Sequence, residues 1–151
     1  MSKTTFEEEL ERTGKILYTN VGDSMMPLLR EKRDLVIIKK VEQPLKKYDV
    51  PLYKRDSGQY VLHRILKVRK QDYVICGDNR YRKETGITDR HILGVLDGIV
   101  RDGKEISVSN WKYRLYVHLW CDFFFLRAFL LFAKQSKKKL WLYWKKRTYR
   151  K

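Results

Sequence analysis

This chain has few of the residues that build disulfide scaffolds or metal modules. Its 151 residues include two cysteines, three histidines and three prolines. Cys76 and Cys121 lie far apart, with no Cys-x-x-Cys spacing and no histidine at ligand spacing, which excludes a disulfide scaffold and a zinc module. We therefore expect two reduced thiols, no metal site and no cofactor.

Acidic residues are absent from the C-terminal end, and this absence accounts for most of the net charge of +16. Residues 1–110 contain 22 basic and 17 acidic residues, whereas residues 134–151 contain nine basic residues and no acidic ones. A nucleic-acid-binding domain would spread Lys and Arg over a folded face, but here the basic block follows the most apolar stretch. That order favours an anionic membrane surface as the partner. No nucleic acid is expected, and binding of nucleic acid through the basic tail is kept as a competing hypothesis.

The first residues also lack an apolar segment. Met1–Leu10 (MSKTTFEEEL) is acidic where a signal peptide needs a positively charged region followed by an apolar one, so no signal peptide is expected. Thr4 or Thr5 precedes three glutamates, whose carboxylates favour the first turn of a helix, and Gly14 is typical of a helix end. The pattern predicts a short N-terminal helix.

Short β-branched and aromatic runs alternate with turn residues between Lys15 and Ile106, a pattern typical of strands. The runs are KILYTNV, DLVIIKKV, VPLYKR, QYVLHRILKVR, DYVICG, HILGVLDGIV and KEISVS. Asp56-Ser57-Gly58 and Arg101-Asp102-Gly103-Lys104 predict hairpin turns, and long βαβ units are absent. The expected fold is mainly β: a small, coiled, antiparallel β domain over residues 1–110 that includes the short N-terminal helix.

The remaining residues, 111–151, contain no glycine or proline and are rich in large apolar side chains, so they are predicted to form a helical tail. Residues 115–133 have about the length of a membrane span, but the cost of inserting Asp122 and Arg127 offsets the apolar gain. One hypothesis is an interfacial helix whose basic and aromatic residues lie against anionic headgroups. The other is a helix that packs its apolar side on the β domain, and whether residues 115–133 span a membrane stays open.

Three stretches contain the residue types that serine catalysis requires. They are Val21-Gly22-Asp23-Ser24-Met25-Met26-Pro27, Tyr60-Val61-Leu62-His63-Arg64-Ile65 and Cys76-Gly77-Asp78-Asn79. A serine hydroxyl is a weak nucleophile at neutral pH, so it needs a base within hydrogen-bond reach and a third group that fixes the tautomer of that base. Ser24, His63 and Asp78 supply these types, although their spacing does not establish that they meet in space.

GDSMMP, followed by the strand-like YVLHRI and then a GDN turn, resembles the nucleophile, base and downstream boxes of the signal peptidase family. The resemblance covers roughly Val21 to Val100, since DLVIIKK, YDVPLYKR and HILGVLDGIV are similar to the family's strands in the expected order. His63 stands where bacterial leader peptidases and self-cleaving repressors carry Lys. The chain therefore looks more like the endoplasmic-reticulum and archaeal branch, and the fold implied is that of signal peptidases and repressor peptidases.

The resemblance implies a serine endopeptidase that removes a leader or signal segment from a peptide or protein through an acyl-enzyme. Ser24 matches the nucleophile and His63 the general base, and Asp78 is the first choice for the carboxylate that orients the base. Glu84 and Asp89 are the alternatives for that third role. Three residues after the nucleophile match the segment that lines the groove for an extended peptide substrate: Met25, Met26 and Pro27.

The chain departs from the family pattern in two respects. A polar segment precedes Ser24 where typical members carry an apolar membrane anchor, and Gly22 stands where some relatives carry a hydroxyl that helps to stabilise the oxyanion. We therefore expect a cytoplasmic, membrane-associated enzyme with a dedicated peptide substrate, and a location on the other face of the membrane stays open. The alternative function is a catalytically idle module of the same fold that binds peptides or membranes.

Overall fold

Helices flank a mainly β body in the computed structural model, which describes residues 5–148. The helices are α1 (Phe6–Thr13), α2 (Trp111–Asp122) and α3 (Phe124–Thr148). The strands are β1 (Lys15–Thr19), β2 (Leu35–Lys39), β3 (Pro51–Lys54), β4 (Tyr60–Leu62), β5 (Arg64–Val68), β6 (Tyr73–Cys76), β7 (Glu84–Ile87), β8 (Ile92–Arg101) and β9 (Lys104–Ser107). The expected mainly β class, with a curled antiparallel sheet, is confirmed.

Local capping signals define α1. The Thr5 hydroxyl accepts a hydrogen bond from the Glu8 N–H, and the Glu8 carboxylate accepts one from the Thr5 N–H at 2.9 Å. Gly14 ends the helix with φ 74°, and its N–H donates to the Leu10 carbonyl at 2.9 Å. The predicted start and end of this helix are confirmed, and Thr4, the other candidate for its start, lies outside the described residues.

Strand β8 is the longest strand and organises the larger sheet. Its strand order is β1-β2-β8-β3-β4, and β9 also pairs with β8. The first half of β8 pairs with β3 and its second half with β9, while β2 pairs along its other edge. A smaller sheet has the order β5-β6-β7. All these pairs are antiparallel, as the hairpin signals in the sequence predict.

Both predicted hairpin turns are confirmed. Asp102 and Gly103 have φ of 48° and 78° and connect β8 to β9, so they form the two-residue turn whose twist suits antiparallel strands. Gly58, with φ 83°, lies in the loop between β3 and β4, where its N–H donates to the Arg55 carbonyl at 2.8 Å.

The run QYVLHRILKVR, predicted as one strand, forms two strands that belong to different sheets. β4 ends at Leu62 and pairs with β3 in the larger sheet, whereas β5 begins at Arg64 and pairs with β6 in the smaller one. His63 is the single residue between them. The strand-like run of residue types continues through the point where the strand changes its partner, so the sequence pattern alone does not reveal the change of sheet.

The hairpin of β3 and β4 separates two apolar clusters because successive side chains on a strand point to opposite faces. Leu52 and Leu62 belong to the cluster that contains α1 and β8 residues, and Tyr53 and Val61 belong to the cluster formed with the smaller sheet. Burial on both faces leaves Tyr53 fully buried. Its hydroxyl is thereby directed into the region between the two sheets.

The two C-terminal helices differ in how they contact the body. Val117 and Cys121 of α2 are buried, and Tyr113 and Tyr116 pack against the first cluster, so the packing hypothesis describes α2 well. The chain bends by 76° between α2 and the first part of α3. No single helix in residues 5–148 has the length and hydropathy of a membrane span, and the bent pair meets those criteria only when its two helices are taken together.

Close packing of β2 against β8 gives a stability prediction at two glycines of β8. A Cβ on Gly94 would lie 2.5 Å from Ile38 Cγ2 and 2.7 Å from the Lys39 carbonyl oxygen, whereas a Cβ on Gly98 would meet nothing closer than 3.3 Å. We expect Gly94→Ala to lower the free energy of unfolding by about 1–3 kcal/mol, as overpacking does, and Gly98→Ala to lower it less. Urea denaturation measures both, and equal losses would contradict the close approach at Gly94.

Candidate active site

Ser24 lies in the loop between β1 and β2, on the wall of a cleft of about 650 Å³. Turns hold this loop in place, since the Met26 N–H donates to the Asp23 carbonyl at 3.1 Å and the Leu29 N–H donates to the Met25 carbonyl at 2.9 Å. Ser24 is half-buried, and its hydroxyl makes no hydrogen bond to any described residue. The loop therefore presents a serine with a free hydroxyl at a cleft.

The residues after Ser24 differ from their predicted role as the peptide-binding segment. Met25 is 1% exposed and packs in the first apolar cluster, so its side chain is unavailable to a peptide. Met26 and Pro27 are exposed, but neither lines the cleft around Ser24. The cleft walls come from other elements and include Tyr18, Val21, Leu52, Tyr60 and Leu62.

Gly77 marks the point where the Ser24 loop and the His63 ring come together. A Cβ on Gly77 would lie 2.6 Å from the Ser24 carbonyl oxygen and 3.0 Å from His63 Nε2. The absence of a side chain at this position is what lets both groups approach the same turn. Gly77 belongs to the Cys76-Gly77-Asp78-Asn79 motif, but no local signal in the sequence revealed this steric role.

On its other side, the His63 ring contacts a tyrosine that the sequence reasoning did not single out. His63 Nδ1 lies 3.4 Å from the Tyr53 hydroxyl, which donates its proton to Glu84 Oε2 at 2.8 Å. A tyrosine hydroxyl has one proton, so its oxygen is left to accept from Nδ1–H. This arrangement favours the tautomer that carries its proton on Nδ1 and leaves the lone pair on Nε2, the ring nitrogen that lies close to Gly77.

Glu84 is held as a carboxylate by an arginine. Arg55 donates from Nε to Oε1 and from Nη2 to Oε2, each at 2.7 Å, in the two-pronged geometry that suits a guanidinium. This hydrogen bonding lowers the pKa of Glu84, and the bond from Tyr53 lowers it further against the opposing effect of burial. Glu84, one of the two alternatives to Asp78, therefore reaches His63 through Tyr53.

Burial sets the protonation state of His63. Desolvation lowers its pKa from 6.5 to about 4, and the negative charge of Glu84 opposes that shift only in part. The imidazole is thus neutral at pH 7, which is the form a general base requires. Neighbouring Arg55 and Arg80 also disfavour the protonated ring.

Asp78, the first choice for orienting His63, is engaged elsewhere. Its Oδ1 accepts from Arg64 Nε at 2.9 Å and its Oδ2 from Arg64 Nη2 at 2.8 Å, and both side chains are fully buried. The Tyr116 hydroxyl also donates to Oδ2, at 3.0 Å. No hydrogen bond joins Asp78 to His63 within the described chain. Asp89, the other alternative, accepts a hydrogen bond from the Tyr73 hydroxyl.

The turn that contains Asp78 supports the Ser24 loop through the residue that follows. The Asn79 N–H donates to the Ser24 carbonyl at 2.7 Å, and Asn79 Nδ2 donates to the Asp23 carbonyl at 3.1 Å. Arg80 adds an ion pair with Asp23 at 2.5 Å. Asp78 therefore contributes to the candidate site indirectly, because its pairing with Arg64 fixes the turn that contacts the Ser24 loop.

A second arginine approaches the same carboxylate from α3. Arg127 is 3% exposed, its Nη1 lies 3.9 Å from Asp78 Oδ1, and its Nη2 donates to the Arg80 carbonyl at 3.3 Å. Its Nε and Nη1 have no hydrogen-bond partner in the described structure. The buried group thus contains two cations and one anion, and Arg64 makes the better-formed pair.

Other groups near the site do not offer a different chemistry. Cys76 and Cys121 are buried free thiols, and burial raises the pKa of each to about 11, so neither is a thiolate nucleophile at neutral pH. His118 pairs with Asp122 at 3.1 Å on α2, as expected for a polar helix pair. Within residues 5–148, no group of three His, Cys, Asp or Glu side chains could hold a metal ion.

Comparison of the chain with protein-family models, with curated proteins and with solved structures finds no match. The chemistry of the site is therefore inferred from its own geometry and from the motifs of the sequence.

The unequal pairing of the two arginines gives a stability prediction. Arg64→Met leaves the Asp78 carboxylate buried without its two-pronged partner, so we expect a loss of about 3–5 kcal/mol in the free energy of unfolding. Arg127→Met leaves the Arg64–Asp78 pair intact and removes two unpartnered nitrogens, so we expect a loss below about 1 kcal/mol. Chemical denaturation at pH 7 compares them, and a larger loss for Arg127→Met would contradict this ranking.

Proposed function

We propose that this chain is a serine endopeptidase of the signal peptidase type, which removes a leader or signal segment from a peptide or protein substrate. One observation carries the proposal: His63 Nε2 and the Ser24 carbonyl both lie close to Gly77 at the cleft, while His63 Nδ1 faces the Tyr53–Glu84 pair. A nucleophile, a neutral base and a tautomer-fixing partner are the three parts that serine catalysis needs. The curled antiparallel sheet supports the finer proposal of a signal peptidase fold.

In this mechanism Ser24 Oγ attacks the scissile carbonyl carbon as its proton passes to His63 Nε2. The resulting imidazolium donates that proton to the leaving amine when the C–N bond breaks, which leaves an acyl-enzyme on Ser24. His63 then removes a proton from water, the hydroxide attacks the ester carbonyl, and the proton returns to Ser24 as the carboxylic acid product leaves. No cofactor takes part in these steps.

Backbone groups are the available donors for the oxyanion. The Ser24 N–H has no acceptor in the described structure, and Gly22, with φ 95°, brings no hydroxyl to this loop. A free N–H next to the nucleophile is the usual source of oxyanion stabilisation in acyl transfer. The proposal therefore assigns this role to the backbone at Ser24.

Tyr53 and Glu84 take the role that a directly bonded carboxylate has in the familiar triad. When His63 becomes positively charged, its Nδ1–H donates to the Tyr53 oxygen, whose own proton is held by the Glu84 carboxylate. The negative charge of Glu84 favours the imidazolium through this intervening hydroxyl. Glu84 replaces Asp78 in the proposed site, and Tyr53 is its added member.

A catalytically idle module of the same fold is the second candidate. It is favoured by the absence of a hydrogen bond between the Ser24 hydroxyl and His63 in the described structure. Catalytic hydrogen bonds are often long in enzymes without substrate, which is why the peptidase remains the first proposal. Loss of a measurable cleavage activity on substitution of Ser24 distinguishes the two.

The first test compares new protein N-termini by mass spectrometry in host cells that make the native chain or a variant. We expect a set of N-termini with the native chain that disappears with Ser24→Ala and with His63→Ala, because either change removes the acyl-transfer chemistry. Ser57→Ala, in the exposed loop between β3 and β4, is the matched control and should retain the full set. Identical profiles for all four chains would support the idle module.

The second test uses a peptide spanning one of those cleavage sites. Because the pKa of His63 is lowered to about 4, the base stays neutral as the pH falls from 7 to 5, and kcat/KM should fall only as the pH approaches 4. Tyr53→Phe removes the acceptor for Nδ1–H and should lower kcat by roughly tenfold or more. Tyr18→Phe, which alters a cleft tyrosine that makes no hydrogen bond to His63, is the control.

An acid limb at the ordinary histidine pKa of 6.5 would contradict the proposed environment of His63. Equal kcat for Tyr53→Phe and Tyr18→Phe would remove Tyr53 from the site while leaving the peptidase proposal in place. Both variants are compared with the native chain at a pH where it is fully active.

A further inference from the structure

The first turns of α3 expose an apolar face that no described residue covers. Five large apolar side chains lie on it with more than half of their surface exposed, and Phe125 is the most exposed at 85%. They are Phe125, Leu126, Phe129, Leu130 and Phe132. Leu119 and Phe123, before the bend, are similarly exposed. Contiguous exposure of this kind marks a surface that binds an apolar partner or a membrane.

Helix α3 packs against the body, so detachment of the helix does not explain this exposure. Arg127 and Leu131 lie one turn apart on the opposite side of the helix, and both are buried. Phe132 makes an edge contact with the Tyr81 ring at 5.9 Å, and Lys83 Nζ lies 4.4 Å from the centre of the Phe124 ring. The packing against the body thus fixes which side of α3 faces outward.

The residues that follow this apolar face carry charge of one sign. Residues 134–151 contain nine Lys or Arg residues and no acidic residue. Lys134, Lys137 and Lys145 have exposed side chains, and Trp141 is 60% exposed with Lys145 Nζ 5.0 Å from its ring. Arg150 and Lys151, which also belong to the basic tail, lie outside the described residues.

We propose that α3 is an interfacial helix that docks this chain on an anionic lipid bilayer. The apolar face would enter the boundary between headgroups and acyl chains, and the cationic, aromatic residues after it would contact anionic headgroups. The charge decides the occupant: an apolar face covered by a second copy would bring two strongly basic segments together, whereas an anionic bilayer attracts them. This proposal is independent of whether the chain cleaves peptides.

Docking in this orientation has a geometric consequence for the cleft. Three residues of segment 80–83 contact α3: Arg80, Tyr81 and Lys83. The same segment lines a second pocket that shares His63 with the cleft. Arg127 links the helix directly to this segment through the Arg80 carbonyl. The bilayer would therefore lie beside the cleft, and the peptide bonds presented to it would be those close to a membrane surface.

The test measures co-sedimentation of the full chain with vesicles of phosphatidylcholine alone and of phosphatidylcholine mixed with phosphatidylglycerol. We expect tighter binding to the mixed vesicles, which weakens as salt is raised. Phe125→Ser combined with Phe129→Ser should weaken that binding by roughly tenfold or more, because two large apolar side chains no longer leave water. Leu17→Ser combined with Val68→Ser, at exposed apolar positions of the β body, is the matched control and should bind normally.

Two charge-reversal variants test the headgroup contacts separately from the apolar contacts. Lys134→Glu combined with Lys137→Glu should reduce the preference for mixed vesicles, while Lys67→Glu combined with Lys104→Glu, on the β body, should leave it unchanged. All substituted side chains are exposed, so circular dichroism should show native folding. If the Phe125 and Phe129 variant does not fold, Leu126→Ser combined with Leu130→Ser replaces it on the same face.

Two results would overturn the proposal. One is vesicle binding that is equally strong for the native chain and the apolar-face variant. The other is a native dimer in analytical ultracentrifugation that the apolar-face variant converts to a monomer, together with no binding to mixed vesicles, because the face would then be covered by a second copy.

Discussion

The buried ion pair of Arg64 and Asp78 connects the parts of the molecule on which the candidate site depends. Arg64 is the residue directly after His63, and Asp78 lies in the turn between Gly77 and Asn79, both of which contact the Ser24 loop. Two charges removed from water are tolerated only when each neutralises the other with good geometry. Burial lowers the pKa of Arg64, but the charge of Asp78 outweighs that effect and raises the pKa well above its usual range. The pair thus joins the residue next to His63 to the turn that contacts the Ser24 loop.

The same ion pair also anchors the C-terminal helix α2 to the body through hydrogen bonds. Tyr116 donates to the Asp78 carboxylate, and Trp120 Nε1 donates to the Asp78 carbonyl at 2.8 Å. The predicted boundary near Asn110 is where α2 begins, with the Asn110 side chain accepting from the Lys112 N–H at 2.9 Å. Helix α2 therefore shields an ion pair that belongs to the β body, and only α3 extends beyond it.

Local signals account for what the sequence reveals about the fold, and long-range partner choice accounts for what it hides. Thr5, Gly14 and the Asp102-Gly103 turn act through neighbouring backbone groups, so their residue types are sufficient to predict α1 and the last hairpin. The change of sheet at His63 depends on the partners of β4 and β5, which lie far away in the sequence. Strand β7, with the sequence ETGI, has too few apolar side chains to be predicted, and its pairing with β6 forms it.

In the candidate site, too, local signals in the sequence reveal some residues, and long-range contacts determine the others. Ser24 and His63 belong to ordered boxes, and the structure places both next to Gly77, which their spacing alone did not establish. The choice among three acidic residues could not be made from spacing, because Asp78 pairs with Arg64 and Glu84 reaches His63 only through Tyr53. Strand alternation on β3, which sends Leu52 and Tyr53 to opposite faces, was the one available signal for Tyr53. Because His63 joins two separately hydrogen-bonded sheets, opening of β5–β7 alone separates it from Glu84 and Gly77 while the larger sheet stays paired. The durability of the site is therefore set by the three-stranded sheet, whose local opening needs less free energy than unfolding of the whole chain.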